Sequence, residues 1–342
     1  MKAAPLVRAL QRHSGFNQLL VHTGQHYDVN MSDVFLQQLD MPAPDVNLQV
    51  GSGTQAQQTA NIMIQFEPVV TNRKPSLVVV YGDVNSTIAA ALVSAKLGIP
   101  VAHVEAGLRS FDRSMPEEVN RVLTDQISDL LFTPSADGNR NLVREGIPAE
   151  RIHLVGNVMI DTLIRMLPDA HLQPINLPSQ YVLVTLHRPS NVDDLPWLER
   201  LLDVLSAVGE YAPVLFPVHP RTAKALNGPA GRFHSERLRL MPPQPYLEFL
   251  ALQQKATLVI TDSGGIQEET TFLRVPCLTV RENTERPITV ELGTNQLVGR
   301  NPAVLREAAL RILGGERKQG AVPPLWDGHA AERIADQIAA TA

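Results

Sequence analysis

The sequence predicts an α/β protein built from two doubly wound halves that face one another, and three observations carry that prediction. Near-continuous apolar runs such as Ser76–Tyr81 and Tyr181–Leu186 are of the kind buried on both faces of a parallel sheet. These runs alternate with helical segments through short turns, which implies βαβ units with right-handed crossovers. Polar clusters recur where the strands end, the place at which such sheets bind ligands. With 342 residues, 44% hydrophobic and 19% charged, the chain can form two core-bearing domains.

Taken in order, the chain opens on an amphipathic helix, Pro5–His13, with a first strand-like segment at Gln18–His22. That start is unusual, because no strand precedes the helix, and the first strand of the N-terminal domain is expected to be missing. A short helical segment near Asp33–Leu39, a Pro- and Gly-rich connection through Gly53 and a long helix near Gln55–Val70 follow. The pattern then becomes regular. Strands at Ser76–Tyr81, Val101–Val104, Leu130–Phe132 and Ile152–Val155 alternate with helices at Thr87–Leu97, after Met115-Pro116, and at Ala136–Glu145. Around Leu167–Pro178 the pattern lapses into a polar, Pro-containing linker, so the expected domains are residues 1–168 and 169–342. Whether the last helix returns to the first domain is left open. The second series has strands at Tyr181–Leu186, Val214–Val218, near Leu238, at Leu258–Thr261 and at Cys277–Val280. Its helices are Trp197–Glu210, a short one after Thr222, Tyr246–Lys255, Ile266–Leu273, and two closing ones near Ala303–Leu313 and Ala330–Ala340.

Composition narrows the function. A net charge of −5 with no Lys/Arg run leaves no footprint for nucleic acid or an anionic membrane surface. No apolar stretch reaches the length needed to span a bilayer, and Met1–His13 is too interrupted by Arg8 and Arg12 for a secretory signal. The single cysteine, Cys277, sits in an apolar run and reads as a buried thiol in a reducing compartment, so the protein is expected in the cytoplasm. There is no G-x-G-x-x-G after a strand, no P-loop lysine, no H-E-x-x-H, no D-x-D and no G-x-S-x-G, which disfavours nicotinamide redox, nucleotide hydrolysis, zinc proteolysis and serine hydrolysis. No cofactor and no metal are expected.

The chain is organised around Ala256–Glu269, ATLVITDSGGIQEE, read as a buried strand, a tight turn and a helix start. Such a turn aims free backbone N–H groups and a helix dipole at one point, and side-chain-free Gly264 and Gly265 behind Ser263 let a bulky anion approach. A phosphate or diphosphate suits it, although a plain Gly-rich turn reads the same. Glu268 and Glu269 would either stabilise the helix start or accept hydrogen bonds from ligand hydroxyls. Elsewhere, Asp83 after Ser76–Tyr81 either caps the next helix or does chemistry. His103 and Glu105 share a strand face, with a Glu105–Arg109 ion pair as the plain alternative. Glu117 and Glu118 follow Pro116, where acids are ordinary helix-start residues. His187 and His219 stand at the ends of two strands. Carboxylates on one wall and an anion cradle with histidines on the other suit proton abstraction and return on a nucleotide-linked substrate.

Together, GDVNST (Gly82–Thr87), HVEAGLRSFDRSMPEEVNR (His103–Arg121), TLHRPSNV (Thr185–Val192), PVHPRT (Pro217–Thr222), TDSGGIQEE (Thr261–Glu269) and ENTERP (Glu282–Pro287) resemble the non-hydrolysing UDP-N-acetylglucosamine 2-epimerases, in the same order through nearly the whole chain. The resemblance implies two Rossmann-like domains of the glycosyltransferase-B type, usually a homodimer, with the active site in the cleft between them. It implies reversible epimerisation at C2 through elimination of UDP, a 2-acetamidoglucal intermediate and re-addition, giving UDP-N-acetylmannosamine. Asp83, Glu105 and Glu117 are implied as the acid/base set, with His187 as a catalytic and substrate-contacting residue. Ser263, Gly264 and Gly265 would bind the diphosphate, Glu269 the ribose, and Gln244 with Phe249 the uracil region. Arg286 would add a cation beside the phosphates, and Lys2 matches a substrate-site lysine.

Two departures from the family pattern stand out. The family opens with a strand and a Gly-Thr-Arg-Pro-Glu loop that precede the position of Met1-Lys2 here. On that ground Gln18–His22 is expected to have an unpaired edge, the Pro5–His13 helix to be only partly covered, and activity and stability to fall below those of a chain with strand and loop prepended. A Gln-His-Arg-Glu-Met segment of an activating second site is Gln25-His26-Tyr27-Asp28-Val29-Asn30-Met31 here, which predicts a hyperbolic dependence on substrate. The rivals are an epimerase of a UDP-diacetamido-uronate, a UDP-sugar glycosyltransferase of the same architecture, and a binding protein without activity.

Overall fold

The computed structural model describes residues 1–13, 15–24, 38–173, 177–218, 222–223 and 236–341. Those residues form two compact units, one of residues 1–162 with 324–342 and one of 163–323. The expected helix near Asp33–Leu39, most of the one after Thr222, the 25–31 segment and His219 lie largely or wholly outside the described residues.

In the first unit, β3 (Val78–Tyr81), β4 (Val101–Val104), β5 (Leu130–Thr133) and β6 (Ile152–Leu154) lie side by side in sequence order, all parallel. A separate parallel pair joins β1 (Val21–His22) to β2 (Val46–Asn47). The sequence reading missed β2, since two residues in a Pro- and Asp-rich connection carry no alternation to read. The Gln55–Arg73 helix starts on a capping box in which Thr54 Oγ1 accepts from Gln57 N and the Gln57 side chain accepts from Thr54 N.

One expectation about this unit is corrected. The Ala3–Gln11 helix is well covered: Ala4, Leu6, Val7 and Ala9 are buried. Its cover is the Ala330–Thr341 helix, whose Ala331, Ile334, Ala335 and Ile338 join Leu6 and Ala9 in one apolar cluster with Ala102, Val104 and Phe132. Asp161 anchors the start of that helix by accepting from the backbone N–H groups of Ala330 and Ala331 at 3.2 and 2.7 Å.

The expected linker at 167–178 also begins later than its composition suggested. The Val158–His171 helix runs through Pro168, because Ile160, Leu163, Met166 and Ala170 keep a buried stripe at helical spacing across it.

The second unit is one six-stranded parallel sheet with the order β12-β11-β10-β7-β8-β9, from β7 (Val182–Thr185), β8 (Val214–Pro217), β9 (Leu238–Met241), β10 (Leu258–Thr261), β11 (Cys277–Thr279) and β12 (Asn295–Leu297). Its strands are apolar on both faces: β7, β8 and β10 pack the Leu195–Gly209 and Pro302–Leu313 helices on one side and Leu252, Ala256 and Val275 on the other. Cys277 is buried there, and burial pushes its thiol up to about 11. The order reverses between β7 and β10. That reversal is a topological switch point, with its crevice at the carboxyl ends of the two strands.

Candidate active site

Three residues meet at the strand ends of the first unit. Gly82, directly after β3, has φ +66°, and a Cβ there would lie 2.5 Å from Lys2 Nζ and 3.3 Å from Glu105 Oε2. Glycine takes that left-handed backbone without strain, and Lys2 and Glu105 form an ion pair beside it. Glu105 holds a left-handed backbone at φ +74°, which for a non-glycine residue costs roughly 1–3 kcal/mol and is typical of functional positions. The alternative Glu105–Arg109 pair does not form, because Arg109 instead binds Asp125 and Glu145.

The cap position of the next helix is Val84, without a side-chain bond, and the Asp83 carboxylate is ion-paired with Arg121. Arg121, 3% exposed, is a fork: its other arm binds Glu118. Glu118 in turn accepts from Ser110 N, Ser110 Oγ and Phe111 N at 2.9 Å each, which nails down the loop after β4. Burial pushes the Glu118 carboxyl up, but the bonds from Ser110 and Arg121 outweigh it and leave it below the ordinary range. Asn120 donates to the Asp83 carbonyl at 2.9 Å. The Pro116–Ile127 helix therefore supplies the scaffold of the cluster, while Glu117 on its first turn is exposed and takes no part in it.

The second unit builds its site at the switch point. After β10, Asp262 is fully buried and accepts from His187 N, Arg188 N and Asn191 Nδ2, so it ties the end of β7 to the end of β10. His187 Nδ1 lies 3.2 Å from Asp262 Oδ1, which orients a half-exposed ring. Ser263 caps the Gly264–Leu273 helix by backbone position alone, without a side-chain bond. A Cβ at Gly264 would strike the Arg286 guanidinium, so the glycine is what lets that cation sit against the turn. Arg286 is held by Glu268 at 2.9 Å through Nε and by Glu285 at 2.5 Å through Nη1. Glu285 is held well below the usual carboxylate range: burial would raise it, but Arg286 and Arg281 prevail.

Glu269, on the same helix, is 2% exposed and accepts from Tyr246 Oη at 2.9 Å. Burial pushes it up to about 7, against a usual 4.5, with the Tyr246 bond opposing and the Glu268 charge assisting. Because the folded chain keeps a proton that the unfolded chain loses above about pH 4.5, this group costs stability progressively between 4.5 and 7. Glu269→Gln is accordingly expected to exceed the parent in unfolding free energy by about 3 kcal/mol at pH 8, with the difference vanishing below pH 4.5. Denaturant unfolding of both across that range checks it, and a constant difference would be contrary to the assignment.

The Gln244 amide turns back on the Pro242 carbonyl at 2.7 Å, and Phe249 packs against the core around Leu252. Among the described residues, no group of three or more His, Cys, Asp and Glu side chains is placed to hold a metal ion, and no helix is long and apolar enough to cross a membrane.

A family model described as UDP-N-acetylglucosamine 2-epimerase matches residues 8–339. The UDP-N-acetylglucosamine 2-epimerase of Methanocaldococcus jannaschii is 42% identical over 351 residues, covering 98% of this chain and 94% of the relative. The UDP-2,3-diacetamido-2,3-dideoxy-D-glucuronate 2-epimerase of Pseudomonas aeruginosa is 41% identical, covering 99% of this chain and 96% of that one. Among solved structures, the M. jannaschii UDP-GlcNAc 2-epimerase in complex with UDP-GlcNAc and UDP matches with a TM-score of 0.91 at 42% identity, over 99% of this chain and 96% of the other.

Proposed function

The chain belongs to the UDP-N-acetylglucosamine 2-epimerase family, and from that premise we propose that its two sites divide the work of one epimerisation. It is an epimerase of nucleotide sugars, and UDP-N-acetylglucosamine is its proposed substrate. The observation that carries this reading is a carboxylate cluster at the ends of β3 and β4 in the same chain as a glycine turn with a buried arginine at the end of β10.

In this reading Asp83, Glu105 and Glu117 remove the C2 proton and return one to the opposite face. As the proton leaves, its bonding pair forms the C1–C2 double bond, and the C1–oxygen bond breaks with its electrons on departing UDP. Re-addition reverses these steps after protonation at C2. Lys2 and Arg121 keep two of the carboxylates as ion pairs close to the sugar. Ser263, Gly264, Gly265 and Arg286 bind the diphosphate, and the fixed cation stabilises charge on the leaving group. His187, oriented by Asp262, donates to it. Glu269 takes the ribose hydroxyls, and Gln244 and Phe249 serve the uracil end. A homodimer in the cytoplasm, with the unit of residues 1–162 and 324–342 as the proton-transfer domain and that of 163–323 as the nucleotide domain, completes the proposal.

Incubation with UDP-N-acetylglucosamine in deuterated water tests it. Deuterium is expected at C2 without any acceptor, together with UDP-N-acetylmannosamine. Exchange that needs an acceptor would point to a transferase instead. The 41% identity to the diacetamido-glucuronate enzyme favours a second reading, in which the same exchange occurs only on the diacetamido-uronate sugar.

A further inference from the structure

His103 ends up in a position that the reaction scheme above does not use. It is completely buried on β4, two residues before Glu105. Its Nδ1 lies 2.7 Å from Asp125 Oδ1, and its Nε2 lies 2.7 Å from the carbonyl oxygen of Gly82. A carbonyl only accepts, and Asp125, ion-paired through its other oxygen with Arg109, is a carboxylate. A ring that makes both bonds must therefore donate from both nitrogens.

The charges around it agree. Asp125 Oδ2 takes Arg109 Nη2 at 2.7 Å and Gly107 N at 3.1 Å, and Arg109 also grips Glu145 through Nε and Nη2 at 2.7 and 2.6 Å. With His103 protonated, two cations face two anions; with a neutral ring, a net negative charge is left in a largely water-free cluster, which is costly. The other charged groups at these strand ends are Lys2, Asp83, Glu105, Arg121 and Glu118. The carbonyl that Nε2 holds belongs to the peptide leading into Asp83, and Gly82 also carries the Lys2–Glu105 contact. Movement of that one peptide shifts both reactive carboxylates.

We propose that His103 is a doubly protonated positioning residue, which fixes the Gly82–Asp83 peptide and places a positive charge behind the reactive carboxylates. The role rests on the epimerase reading, but its first test does not. In the full chain labelled with 15N-histidine, both ring nitrogens of His103, assigned by their loss in His103→Gln, are expected to resonate as protonated nitrogens at neutral pH. A ring nitrogen without a proton there overturns the proposal, whatever the activity. The second test is kinetic. His103→Gln is expected to lower kcat for C2 exchange about 100-fold per folded molecule with KM little changed, since a displacement near 1 Å at reacting groups is worth that much. An unchanged kcat overturns the positioning role. If His103→Gln does not fold, Asp125→Asn decides by NMR: without its anion the ring is expected to lack one of its protons at neutral pH, and a ring still doubly protonated refutes the account.

Discussion

Asp83→Asn is expected to lower C2 exchange by about 10³-fold while leaving UDP binding within a few-fold. The size follows from the worth of a positioned acid or base, roughly 10²–10⁴ in rate, and the selectivity from where Asp83 stands. Its carboxylate meets Arg121 in the first unit, whereas the groups proposed for the diphosphate are all in the second. The amide is nearly isosteric and can still accept from Arg121, and Arg121 keeps Glu118, so the loop of Ser110 and Phe111 stays anchored. Melting curves, calorimetry with UDP and mass spectrometry of the sugar after incubation in deuterated water separate the outcomes. Exchange per folded molecule equal to the parent's would remove Asp83 from the proton-transfer set.

Much of the fold was legible because apolar runs buried on both faces leave few alternatives, and Leu258–Thr261 with its Ser-Gly-Gly turn is the clearest case. What escaped the sequence is what depends on distant partners. Asp83 looks like a cap at a helix start, and nothing local announces the ion pair it makes with Arg121 of another helix. Glu117 and Glu118 are indistinguishable neighbours on paper, yet one helical step turns Glu118 onto Arg121 and leaves Glu117 exposed. Arg121 carried a signal that could have been used, since it ends a quoted motif at i,i+3 from Glu118. Lys2 and Glu105 are far apart in sequence, and their pairing over Gly82 has no local signature. Asp262 stood inside the quoted TDSGG motif without a role, although it joins the two strand ends at the switch point. Cover for the Ala3–Gln11 helix came from the far end of the chain, where no window of local periodicity could reveal it.

The second large effect is expected at Arg286, where stability and ligand binding should fall together. Its guanidinium stands between two buried carboxylates, Glu268 and Glu285, and its Nη1 lies against Gly264 at the turn. Arg286→Met keeps the apolar stem but takes the cation from a cluster in which Glu285 still has Arg281 and Arg188 within reach. Removing one partner of a buried ion pair costs about 3–5 kcal/mol, and the retained arginines argue for the lower end, about 3 kcal/mol. UDP affinity is expected to drop by a further 10- to 100-fold, the worth of about 1.5–3 kcal/mol for a charge-assisted contact to phosphate. The stability loss should shrink as pH falls: Glu285 has its carboxyl lowered in the fold, so protonating it removes the charge that Arg286 neutralises. Denaturant unfolding at neutral and acidic pH measures the first effect, and calorimetry with UDP on the folded fraction measures the second. A variant that loses stability but binds UDP as the parent does would make Arg286 a purely structural cation and would leave the phosphate to the backbone of Ser263, Gly264 and Gly265.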